Sequence, residues 1–299
     1  MRISALDAPE VELPPDPEGA LPGWLKTPMN TGLASVGVTP DMLTTMNIPD
    51  FGGNRAYPNV PAGLYYRRRF TKEVAAAPGV VFEQCLFDTP YNALTPLGHN
   101  VEVKDSDFVM TANAMVGGTH INVHPYYTGS ESTVTYIRNL RMTGGTMFIN
   151  ATSAGAIIED VYGYAQMPET GGEQHRDGFT SRGCKTSNPQ ILRRCRFDCA
   201  EDSTTGAFFV QDTYGDGVYG VRAYDCLFEG AGYVMTIDRS HDLVLVNNRT
   251  NPYGPHQISD YTLGSSGPST FALWTGNHRL DPDAVDNDYK GIALPQPVY

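Results

Sequence analysis

Charge is sparse in this chain, and positive charge most of all. Only 18% of its 299 residues are charged, and 21 Lys and Arg stand against 33 Asp and Glu, for a net charge of -12. A surface that neutralises many phosphates needs a basic face, so this balance argues against nucleic-acid binding. It argues equally against anchoring on anionic lipid. No run approaches the roughly 18 apolar residues of a membrane span, so no membrane insertion is expected. The five cysteines are an odd number and form no paired C-x-x-C spacing, so no metal site is read from them. P-loop, dinucleotide fingerprint and G-x-S-x-G elbow are all missing, which leaves nucleotide chemistry and the serine-hydrolase reading with little support. No segment sustains a 3.6-residue apolar period beyond a turn or two, so helix should be minor. What is plentiful is Gly (31), Pro (22) and Tyr (17), the composition of a turn-rich β protein.

One short phrase recurs: apolar, any residue, polar, small or apolar, any residue, bulky apolar. Its copies begin at Phe82, Val103, Ile137, Ile158, Leu192, Ala223 and Leu245, the fourth being cut short at Gly163 and the last the most degenerate. Their fourth positions fall at 85, 106, 140, 161, 195, 226 and 248, giving steps of 21, 34, 21, 34, 31 and 22 residues. A period near 21 with extra residues in some turns is the signature of stacked coils with loops on one side. The expected fold is therefore all-β, a single-stranded parallel β-solenoid. Cys85, Cys195 and Cys226 share the fourth position and should point inward as reduced, stacked core residues. Adjacent coils carry Cys195 and Cys226, so a disulfide between them stays open.

The organisation follows. Residues 1–78 form an N-terminal arm and cap, with Pro14-Pro15-Asp16-Pro17 extended and residues 24–78 covering the first coil. Residues 79–250 carry the coils. Each holds a second strand after the phrase, at Thr146–Ile149, Gly178–Ser181, Ala207–Val210 and Tyr233–Thr236. Long loops leave the stack at 125–132 and 167–173. Residues 251–299 are a C-terminal cap and arm with one further strand, Phe271–Trp274. The run Arg67-Arg68-Arg69 reads as a local salt-bridged feature. Met1-Arg2-Ile3-Ser4 leads into acidic, proline-rich sequence, so synthesis in a cytoplasm without a signal peptide is expected.

The strongest local cluster is His175-Arg176-Asp177-Gly178, after the Gly171-Gly172 loop. Asp-Gly reads structurally as a turn that launches a strand. Functionally, His175 and Asp177 lie two residues apart at a strand edge and suit a general acid and base or a hydroxyl clamp. Alignment of the second strands brings Arg182, Asp212 and Asp238 to one strand end on successive coils. Stacked carboxylates there raise each other's pKa and match either a glycosidase pair or a calcium site. The catalytic candidates are His175, Asp177, Asp212 and Asp238. Tyr164, Arg182, Tyr214, Arg239 and His241 are the binding candidates, because sugar C–H faces stack on rings while hydroxyls find polar partners. No cofactor is indicated beyond Ca2+ at those carboxylates.

Several of these segments carry a family resemblance. Pro28-Met29-Asn30-Thr31-Gly32 is similar to a proline-x-asparagine-threonine-glycine lead-in of the right-handed parallel β-helix proteins of the pectin-lyase-like class. The resemblance is to the versions found among minor tail proteins of phages infecting actinobacteria. His175-Arg176-Asp177-Gly178 is similar to the group's H-x-D-G motif, Gly230-Ala231-Gly232-Tyr233 to its glycine-glycine-tyrosine turn, and Asn247-Asn248-Arg249 to its late asparagine turn. The resemblance covers residues 28–250. It implies a right-handed β-helix, a virion (phage tail) location, contact with host cell-surface polysaccharide and with other tail proteins, and a homotrimer. It departs from the group where a Gln usually follows the H-x-D-G motif and this chain has Phe179-Thr180. Neither the lyase pattern of calcium-binding aspartates with an arginine nor the polygalacturonase aspartate pair with G-H-G is present. The leading reading is thus a glycan-contacting minor tail protein. A polysaccharide lyase or glycoside hydrolase is the first alternative and a purely architectural virion subunit the second.

Overall fold

The computed structural model describes residues 25–51, 58–110, 118–123, 134–152, 155–166, 176–182, 189–199, 205–212, 217–230, 232–251, 259–263, 267–280 and 291–297. The protein is nearly all β, built on long parallel sheets. Its helix, among the described residues, is limited to Gly32–Ser35 and one 3-10 turn at Pro40–Met42.

Two sheets hold the structure, and from Val74 to Arg279 the chain visits them in turn. The smaller sheet runs in sequence order through Val74–Ala76, Leu94–Pro96, Thr119–Val123, Met147–Ala151, Asp177–Ser181, Gly206–Gln211, Tyr233–Asp238 and Ser259–Leu263, all parallel. The larger sheet carries the repeated phrase. Its first positions stand in one register row: Tyr65, Phe82, Val103, Ile137, Ile158, Leu192, Ala223, Leu245 and Trp274. The seven copies read from the sequence are thus true structural neighbours. The row extends one rung earlier, to Gly63–Tyr66, and one later, to Phe271–Thr275, so the ladder runs past residues 79–250 at both ends. The later rung contains the strand expected at Phe271–Trp274. Neither outer rung reads as a copy of the phrase, because Tyr65-Tyr66-Arg67-Arg68 and Trp274-Thr275-Gly276-Asn277 lack its polar–apolar signature.

The phrase contains a corner. Positions one, four and six are buried, yet a flat strand buries every second residue and cannot bury both one and four. The third position resolves this by turning left-handed in every rung: Arg67, Gln84, Asp105, Asn139, Asp160, Arg194, Asp225 and Asn247 all have φ between 50° and 58°. That conformation carries a cost for any residue with a Cβ and is most readily taken by Asn, Asp and Gly. The last rung uses Gly276, φ 65°, at the same place. At the corner the fourth residue repairs the broken ladder. Ser106 Oγ accepts from Cys85 N at 3.0 Å, Asn248 Oδ1 from Cys226 N at 3.1 Å, and Asn277 Oδ1 from Asn248 N at 3.0 Å. Asn248 Nδ2 donates in turn to Ala223 O and Asn277 Oδ1, both at 3.0 Å. In the other copies of the phrase the fourth position is apolar. Cys85, Cys195 and Cys226 occupy it as buried free thiols, and burial pushes the Cys85 thiol up to about 12.

Position six supplies a ring stack along the core. Phe70, Phe87 and Phe108 lie face to face at 5.1 and 4.3 Å, and Phe197 and Phe228 continue it further along. The smaller sheet differs in its burial pattern. Asp177–Ser181 is buried at every residue, as is Gly206–Gln211 except at its last, so these two strands are covered on both faces.

The N-terminal segment covers the flank of several rungs rather than the first alone. Lys26 Nζ pairs with Asp160 at 2.6 Å and Lys26 O accepts from Arg196 at 3.2 Å. Pro28 O accepts from Arg141, and Leu33 N donates to Asp107 Oδ1 at 3.0 Å. Leu33 and Val38 then pack on Leu86, and Thr44–Thr45 pairs with Arg68 and Arg69 of the first rung. The Pro-x-Asn-Thr-Gly segment is the clamp of this strap. Asn30 Oδ1 accepts from Thr27 N at 2.7 Å, and Gly32, φ 61°, lies so close to Asp107 and Arg141 that a Cβ would collide with both. The arginine run is locally paired as expected: Arg67 Nε donates to Gln84 at 2.9 Å and Arg69 pairs with Asp88.

Candidate functional site

Three parallel strands of the smaller sheet, Asp177–Ser181, Gly206–Gln211 and Tyr233–Asp238, end side by side. Their register aligns Ser181 with Val210 and Ile237, and Gln211 with Asp238. The next residue of each strand therefore places Arg182 beside Gln211 and Asp238, while Asp212 lies one residue further along. The inward ring Phe208 pairs with Met235 and fixes this frame.

Past the strand ends the chain turns at Arg239, φ 43°, into a two-strand ladder of Val218–Tyr219 and Ser240–His241. Tyr219 pairs with His241 in register, and their rings stack at 4.9 Å and 29°. Tyr219 is 40% exposed and His241 half-buried, so the pair presents an aromatic platform at the surface. Behind it, Arg239 Nη1 pairs with Asp212 Oδ2 at 3.2 Å and Gln211 Nε2 donates to Asp238 Oδ2 at 3.3 Å. Asp242 is exposed at the next corner, φ 55°. Rings, guanidinium and amide thus share one strand end, held from behind by the buried Asp212 and Asp238, a set able to bind a polyhydroxylated ring.

Asp177 sits at the start of its strand and is fully buried. Its Oδ2 accepts from Thr180 Oγ1 at 3.1 Å and lies 3.7 Å from Arg182 Nη2, while Oδ1 accepts from Gly206 N at 3.3 Å. Burial raises its pKa, opposed by hydrogen bonds from Thr205 and Thr180 and by the Arg182 charge. Gly178 belongs to the strand rather than to a turn that launches it. A Cβ there would strike Ala207 O and the ring of Phe197, which is why the motif needs glycine. Arg182 itself lies over the Phe209 ring at 5.1 Å.

Of the remaining candidates, Tyr164 lies on the other sheet. It ends the strand Gly155–Tyr164 and stacks on Tyr162 at 4.7 Å, with Arg196 on the Tyr162 ring at 5.0 Å. It does not join the Tyr219–His241 platform. His175 and Tyr214, like the 167–173 loop, lie outside the described residues. For Ca2+, among the described residues no three His, Cys, Asp or Glu side chains gather. The sequence reading missed Gln211 and Phe209. Setting Phe208 opposite Met235 across the paired strands would have placed Gln211 opposite Asp238. Comparison with family models, with curated proteins and with solved structures gives no match.

Proposed function

We propose that the chain winds as a right-handed parallel β-helix and uses the strand end around Tyr219 and His241 to contact cell-surface glycan. Alternate visits to two parallel sheets, with one left-handed corner per rung, support the helical winding, and the right-handed sense is the general rule for parallel crossovers. The observation that carries the glycan reading is the part-exposed Tyr219–His241 stack beside the Arg239–Asp212 pair. An aromatic face takes the apolar side of a sugar ring, and the part-exposed Arg239 guanidinium and Gln211 amide take its hydroxyls. A minor tail subunit of a phage, oligomeric and bound to other tail proteins, is the setting that the sequence resemblance supplies for this contact.

Binding is favoured over cleavage by the state of the carboxylates. Asp177 and Asp238 are fully buried, and Asp177 has both oxygens occupied by neighbours of its own fold. That suits a structural role better than proton transfer to a substrate. The test is incubation of the purified protein with host cell-wall and capsular polysaccharides, following both retention and oligosaccharide release by mass spectrometry. Retention that is lost in Tyr219→Ala, with no release, is the expected result. Release that depends on Asp177 and Asp212 would make the protein an enzyme and overturn the binding reading.

A further inference from the structure

At the other end of the ladder the segment that carries Asp50 and Phe51 and two stacked turns enclose a cleft of about 240 Å³. The turns are Thr71-Lys72-Glu73 and Pro90-Tyr91-Asn92, each leading from the larger sheet into the smaller one at Val74 and Leu94, which pair in register. Its walls are tied down from behind. Asn59 Nδ2 donates to Pro49 O at 3.1 Å and to Glu73 O at 2.8 Å, and Asn59 Oδ1 accepts from Ala75 N at 2.8 Å, so one side chain fixes both the Phe51 segment and the first turn. Asn92 Oδ1 accepts from Thr119 N at 3.2 Å and fixes the second turn. Phe51 packs on Ala75 and Leu97 as the floor.

Into this fixed frame Tyr91 presents a ring that is 56% exposed. Around it stand donors and acceptors of both signs: Lys72, paired with Asp50 at 2.9 Å, together with Thr71, Glu73 and Asn92. Acidic groups on two sides disfavour an anion, and the lysine disfavours a bare cation. A neutral polyhydroxylated ring satisfies the mixture and stacks on the tyrosine. We infer that this cleft is a second saccharide site. It rests on the glycan reading and goes beyond it. Four and five strand steps of the smaller sheet separate Leu94–Pro96 from Gly206–Gln211 and Tyr233–Asp238. At about 4.8 Å per step, that is roughly 20–25 Å along the stack. The sites are farther apart still, because the cleft lies where the strands begin and Tyr219 past where they end. Only an extended polysaccharide reaches both sites, and occupying both raises its apparent affinity without any new contact.

The experiment uses the full chain on an array of bacterial cell-wall and capsular polysaccharides, comparing wild type, Tyr91→Ala, Tyr91→Phe, Tyr219→Ala and the double alanine variant. Thermal melts check folding, which the exposure of Tyr91 leaves intact. The expected result is about tenfold weaker binding in each single alanine variant, a further loss in the double variant, and recovery in Tyr91→Phe. Wild-type binding in Tyr91→Ala alongside a loss in Tyr219→Ala overturns the second site and leaves the first standing. The reverse pattern supports the cleft and removes the Tyr219 site. Wild-type protein that binds no polysaccharide on the array overturns both.

Discussion

The ring of Phe148 occupies the place that a side chain at position 163 would need. Gly163 is the sixth residue of its phrase, where other rungs place Phe87, Phe108, Phe197 or Phe228, and a Cβ there would meet the Phe148 ring. Phe148 comes from the smaller sheet, is fully buried, and stacks on Phe197 at 6.1 Å. The core ring stack is continued through this rung by a residue borrowed from across the core.

Phe148→Ala should therefore open a cavity in mid-stack and destabilise the protein by about 3–5 kcal/mol. Gly163→Ala, a far smaller change, should still cost about 1–3 kcal/mol by overpacking. Urea denaturation of both variants checks the pair. A Gly163→Ala midpoint equal to wild type would contradict the geometry.

Gly32→Ala should loosen the flank strap. The left-handed φ alone costs roughly 1–2 kcal/mol, and the collision with Asp107 and Arg141 adds to it. Faster hydrogen exchange at the Leu33 amide and earlier proteolysis between residues 25 and 43 are the expected readouts. The phrase rungs should stay protected.

Asn248→Ala should cost more than its volume suggests. It leaves Cys226 N–H and Ala223 O without their side-chain partner at a buried corner, a penalty of about 1–3 kcal/mol beyond the lost packing. Leu140 fills the same position in its rung without making such bonds, so Leu140→Ala gives the comparison for packing alone.

His120 gives stability a pH dependence. It is fully buried next to the Phe108 and Phe148 rings with Nε2 3.0 Å from Gly144 O, and burial lowers its pKa from 6.5 to about 4. Between those values the unfolded chain binds a proton that the folded one refuses. Stability is thus full above about pH 6.5 and falls as the pH drops toward 4, by roughly 3 kcal/mol at most. His120→Phe should flatten that part of the profile of urea midpoint against pH. An unchanged slope would show that another group carries it.

The phrase was legible because its first, fourth and sixth residues face a shared core and must stack on themselves. The corner it encodes was also written there, in the three-residue step from position one to position four. It went unread because Arg67, Gln84 and Arg194 stand at three of the eight left-handed corners, where residue type gives no turn signal. The strap could not be read at all. Nothing local in Lys26 or Leu33 points to Asp160 or Asp107, and only the fold brings those residues together. At the candidate site the shared strand end of Arg182, Asp212 and Asp238 was legible, but the residue directly across from Asp238 was not. Gln211 is the true partner, because Phe208 and Met235 face inward together. Asp177 has the composition of a catalytic residue and the burial of a structural one, a distinction that only packing reveals.

The strap also has a consequence for how the chain acquires its shape. Ladders of this kind touch only their nearest neighbours, so they can grow or fray one unit at a time. The contact from Arg196 to Lys26 O crosses 170 residues of sequence and ties a late rung to the start of the described chain. Residues made first on the ribosome must therefore wait for residues made much later before they can dock. Closing that long circuit slows the final step of folding. Once it is closed, the early rungs cannot peel away without releasing the later ones.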